Sequence, residues 1–184
     1  MWNAATAHWA GFANRAKLAR VEGWGRFASV AGIGCVAFAV GLLVYLTDRD
    51  DSKAALIPTV AWLTGSNVFG ALGGWLPSFI HTFAFSLFTA AVLPQRSVPR
   101  YGACIAWFAV NLAFEIGQHR LVSVRLAEVL EGGLGGMPLT RPLASYFVHG
   151  AFDPGDIVAA LLGAMAAGTV LRLIHRGRGG NHAH

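Results

Sequence analysis

Three ionisable residues sit in stretches that otherwise avoid charge: His81, Glu115 and Asp156. Within a membrane such a group costs roughly 3 kcal/mol or more, so it is expected to have a partner and to mark a function. An imidazole beside two carboxyls can act as general acid and base on a bound substrate, or hydrogen-bond a polar headgroup. Asn111, Glu115 and Gln118 are spaced i, i+4, i+7, and His119 lies one turn beyond Glu115, which lines them on one helical face. A second polar stripe, Ser78, Thr82, Ser86 and Thr89, carries His81 at its edge. In the last apolar stretch Asp156, Ala160, Gly163 and Ala167 share a face whose small residues admit a close neighbour. Three faces from three helices predict one polar pocket. His81, Glu115 and Asp156 are its candidate catalytic groups, and the same three with Asn111 and Gln118 are its candidate ligand-binding residues.

Each residue also has a structural reading. Asp153-Pro154-Gly155-Asp156 reads as a helix start, with Asp153 as N-cap, Pro154 at N1 and the Asp156 carboxylate at the positive end of the helix dipole. His81 and Glu115 equally suit an interhelical hydrogen bond that fixes packing, and Asn111 and Gln118 suit packing alone. His149, Arg120 and Arg141 suit either an anionic headgroup or a solvated loop. The chain has no His-Glu-x-x-His, P-loop or Gly-x-Ser-x-Gly pattern, so neither a metal nor a nucleotide cofactor is expected. His182 and His184 read as tail.

The elements that position these groups belong to a membrane protein. Of the residues 55% are hydrophobic and 12% charged, with a mean hydropathy of +0.53, where soluble domains carry about 25% charged residues. The net charge is +5. Its basic residues flank apolar stretches without aromatic interleaving, which points to anionic lipid headgroups and away from nucleic acid. Cys35 and Cys104 lie inside different apolar stretches, so no disulfide is expected. Gly32-Ile33-Gly34-Cys35 lacks the Leu of a lipidation site. The first apolar stretch is also too long, and too poor in small residues at its end, for a cleaved signal peptide.

The predicted fold is all-α, a bundle of about four transmembrane helices over residues 27–47, 76–93, 101–118 and 153–174. The first is uncharged throughout and matches the roughly 30 Å hydrocarbon core. Residues 1–26, with Trp2, Trp9 and Phe12 at helical spacing, predict an N-terminal interfacial helix, residues 27–176 the membrane domain, and residues 177–184 a polar tail. Residues 54–75 are apolar but broken by Pro58, Asn67 and several glycines. Reading them as a re-entrant or interfacial segment keeps Arg96, Arg100 and the basic C-terminus on the cytoplasmic side with both termini inside, as the positive-inside rule favours. All nine acids except Glu22 then fall at the outer side. The loop from 118 to 152 is expected to hold a short amphipathic helix near 124–130, followed by a glycine-rich stretch at 132–136 that has no rigid single structure.

The order of these motifs resembles the VanZ-like family of small bacterial membrane proteins, in which a helix carrying His is followed by one ending in Glu-x-x-Gln and by an Asp-x-x-x-Asn-x-x-Gly helix start. The matching positions are His81, Glu115-Ile116-Gly117-Gln118, and Asp156 with Gly163, over residues 76–171. Ser78-Phe79 replaces the Asp-Lys that precedes the family's His, and Ala160 replaces its Asn. The resemblance implies the bacterial cytoplasmic membrane, a multi-pass topology and a role at the cell envelope connected with glycopeptide antibiotic resistance. Three functions remain open: recognition of a membrane lipid or amphiphile from the outer leaflet, intramembrane acid/base hydrolysis or transfer on a lipid-linked substrate, and a scaffold whose Gly155, Ala159, Gly163 and Ala166 dock a partner membrane protein.

Overall fold

Apolar segments that cannot hydrogen-bond to water must satisfy their backbone internally, and this chain does so with helices. The computed structural model describes residues 3–48, 68–93, 97–134, 137 and 139–176, with side chains described from Gly23 onward except those of residues 97, 98 and 134. The described residues hold no strand. Their helices are α1 (Asn3–Asp48), α2 (Leu72–Val92), α3 (Ser97–Gln118), α4 (Arg120–Leu134), α5 (Thr140–His149) and α6 (Pro154–Arg176). Three of them are long and apolar enough to cross a membrane: α1 over Gly23–Asp48, α2 and α6. At 22 residues α3 has the length, but Arg100, Asn111, Glu115 and Gln118 dilute its apolar content.

Large apolar groups line the outside of the bundle as well as its core. Thr82, Ser86 and Leu87 are 0% exposed, while Val36, Ile105 and Met165 stand 68%, 69% and 60% exposed. Large apolar groups facing outward are costly in water and neutral against lipid tails, which are as apolar as leucine. α2 is the hub: it packs against α1, α3 and α6, and α3 also packs against α6. Glycines set these distances. A Cβ on Gly41 would meet Ile80 Cγ2 at 2.8 Å and one on Gly34 would meet Phe88 Cε1 at 2.8 Å, while Gly163 lies against the Phe79 carbonyl. Asp48 closes the far end of the α1/α2 seam by accepting the Phe69 N–H at 3.0 Å and the Thr47 hydroxyl at 2.8 Å.

Several boundaries differ from the sequence reading. α1 runs unbroken from Asn3, with no interruption between the expected interfacial segment and the expected span. α2 begins at Leu72, so residues 72–75 belong to it and Pro77 lies inside it. The missing Pro77 N–H leaves the Gly73 carbonyl without a helical donor, and Gly70 turns the chain into the helix at φ 53°. Residues 49–67, which hold most of the expected re-entrant segment, and the tail at 177–184 lie outside the described residues. The expected loop is mostly helical: α4 is longer than predicted and carries Gly132 and Gly133 in its last turns, and α5 follows. The reason is tertiary. α4 and α5 pack on each other, which offsets a helix penalty of about 1 kcal/mol per glycine.

Candidate functional site

At one end of the bundle the last turn of α3 meets the first turns of α2 and α6. The geometry begins with the α6 cap. Asp153 Oδ1 accepts the Gly155 N–H at 2.7 Å and its carbonyl accepts the Asp156 N–H at 3.0 Å, which is the N-cap that the Asp-Pro-Gly-Asp run predicts. Capping uses one carboxylate oxygen. The other accepts the Trp75 indole N–H at 3.2 Å, and the Asp153 backbone N–H donates to Glu115 Oε2 at 3.3 Å. Gly155 makes room for the indole, since a Cβ there would meet Trp75 Nε1 at 2.6 Å.

One turn into α6, Asp156 Oδ1 accepts the Ser78 hydroxyl proton at 2.7 Å. Asp153 and Asp156 both lie within electrostatic reach of Glu115. Three half-buried carboxyl groups therefore share one patch with the exposed Trp75 and the half-buried Ser78 of α2. An ionised carboxylate offers about four acceptor sites. Among the described residues Glu115 uses one, which leaves acceptor sites for a further donor.

The other residues singled out in the sequence have different surroundings. His81 stacks on Phe85, with ring centroids 4.7 Å apart, and lines a groove between α1 and α2 with Phe38, Leu42 and Tyr45. Its neighbours are thus aromatic and apolar. Asn111 donates to the Trp107 carbonyl one turn back at 3.0 Å. Gln118 is buried and donates to the Tyr146 hydroxyl at 2.8 Å, and Gly150 packs directly on its side chain, so this amide holds α5 against α3. His119 meets the edge of Phe152 at 5.3 Å, and His149 Nδ1 lies 2.9 Å from the Ser145 carbonyl within α5. Arg120 and Arg141 are exposed.

Trp75 was not among the residues singled out. The only sequence signal for it is a tryptophan two residues before Pro77, at the kind of boundary where indoles collect. Among the described residues no cluster of His, Cys, Asp or Glu could hold a metal ion. Of the stripe Gly155, Ala159, Gly163 and Ala166, Gly155 lies against Trp75 and Gly163 against the Phe79 backbone, Ala159 is buried and Ala166 is half-buried. No family model matches the chain, and neither a curated protein nor a solved structure matches it significantly.

Proposed function

We propose that this chain is a VanZ-like cell-envelope protein of the bacterial cytoplasmic membrane. In this reading it binds a lipid or amphiphile at the outer-leaflet end of a four-helix membrane bundle, with both termini inside and α3 as the fourth crossing. Glu115 and Asp156 take the headgroup. Asp153 and Trp75 fix the rim. The observation that carries the reading is the meeting of Glu115 with the start of α6: a carboxylate of α3 accepts the N–H of the cap residue Asp153, with Asp156 within electrostatic reach. A purely structural cap needs Asp153 alone. The added carboxyls make an acceptor-rich patch suited to a headgroup that carries amine or hydroxyl donors.

Glu115→Gln tests this. The amide keeps the shape and one acceptor but removes the charge, so the purified variant should retain several-fold less co-purifying amphiphile by native mass spectrometry, at normal expression and thermal stability. Equal retention in wild type and variant would overturn the reading.

A further inference from the structure

The α1/α2 groove is a second site, separate from the carboxylate patch. It encloses about 180 Å³ between Phe38, Leu42, Tyr45, Pro77 and Ile80, with the His81 ring on its wall. That is below the roughly 300–1,000 Å³ of a site for a whole small molecule, and suits a segment of one chain. Both walls belong to helices long and apolar enough to cross a membrane. The His81 side chain is nevertheless exposed, and neither its ring nitrogens nor the Tyr45 hydroxyl has a hydrogen-bond partner among the described residues. An imidazole facing hydrocarbon without a partner costs free energy that a bound polar group would recover.

Depth identifies the group. Close contacts pair Asp48 with Gly73, Gly41 with Ile80 and Gly34 with Phe88, so the two helices run antiparallel with His81 level with residues 40 and 41. The uncharged run 27–47 has 21 residues, about 32 Å, which matches a core of about 30 Å. Tyr45 then lies about 3 Å inside the hydrocarbon boundary and His81 a little over one turn beneath Tyr45. Side chains tilt toward the start of their own helix, so on antiparallel helices Tyr45 leans inward and His81 leans back toward the boundary. Both polar tips lie just below the level at which acyl chains join their headgroups.

We propose that this groove seats one acyl chain of a membrane glycerolipid, with Phe38, Leu42 and Ile80 along the chain and the His81 N–H and Tyr45 hydroxyl donating to the ester oxygens at its head. The reading depends on α1 and α2 crossing the membrane and not on the function of Glu115.

The test uses the full chain in nanodiscs of phosphatidylethanolamine and phosphatidylglycerol, with a small fraction of phosphatidylglycerol bearing a diazirine in its acyl chain. Irradiation and peptide mapping should concentrate adducts at Phe38, Leu42 and Ile80. His81→Phe preserves the stack on Phe85 and removes the donor, so adduct yield should fall several-fold. His81→Gln, which restores a donor, should recover most of it, and Glu115→Gln should change nothing. Equal yield in His81→Phe, or adducts spread evenly to Ile33 and Val36, would mean annular lipid only and overturn the proposal. Disulfide-linked dimers formed in high yield by Leu42→Cys would assign the groove to a second copy and overturn it equally.

Discussion

Asp153 concentrates more of the site than any other residue. Its backbone N–H serves Glu115, one carboxylate oxygen caps α6 and the other holds the Trp75 indole. Loss of an N-cap carboxylate costs about 1 kcal/mol, and a typical lost side-chain hydrogen bond a similar amount. Asp153→Ala should therefore lower unfolding stability by about 1 to 2 kcal/mol, read as a reduced thermal midpoint in detergent, and should free the indole, read as a shift in Trp fluorescence. Asp153→Asn keeps an acceptor for the cap and should lose less than half as much. Glu115 is expected to behave in the opposite way. Its single hydrogen bond among the described residues makes Glu115→Gln nearly neutral for stability and costly for retained amphiphile, and this contrast separates a residue that holds the fold from one that faces a ligand.

At the scale of the helices, the approach of α6 to α2 depends on Gly163 lying against the Phe79 carbonyl. A methyl group there has nowhere to go, because its obstacle is backbone and not a movable side chain. Gly163→Ala should cost about 1 to 3 kcal/mol by overpacking, and should weaken the Ser78–Asp156 contact two turns away. The measurement is the thermal midpoint, with amphiphile retention falling alongside it. The small-residue face that contains Gly163 was legible in the sequence because one missing Cβ every few residues has few other uses in an apolar helix. The α6 cap was legible for a similar reason, since Asp-Pro-Gly-Asp combines three independent signals for a helix start. The surroundings of His81 were not legible. Ser78 and His81 are three residues apart, so their directions differ by about 60° of helix rotation, and which neighbour each meets depends on crossing angles that no local pattern encodes. α5 was missed because its helical content is decided by packing on α4, and the adjoining glycines argued for an open loop.

For the molecule as a whole, the outward turn of its large apolar groups sets its solvent, and the two cysteines report on that directly. Cys35 is exposed and Cys104 is buried, yet the exposed thiol lies within the Gly23–Asp48 stretch that is suited to cross a membrane. A charged, water-soluble maleimide should label neither in intact membranes. A lipid-permeant thiol reagent should modify Cys35 well ahead of Cys104, and sodium dodecyl sulfate should make the two equally reactive. Rapid labelling of Cys35 by the charged reagent would place α1 in water and remove the membrane reading.

The hub arrangement also fixes a chronology. Ribosomes deliver α1 and α2 first, and the close contacts of Gly34 with Phe88 and of Gly41 with Ile80 lie within that pair. Glu115 emerges next, but the amide that receives it belongs to Asp153, 38 residues downstream. Until α6 arrives, the carboxyl end of α3 is an unfinished joint, and the newborn chain carries the Glu115 carboxyl without the N–H that it accepts in the finished fold.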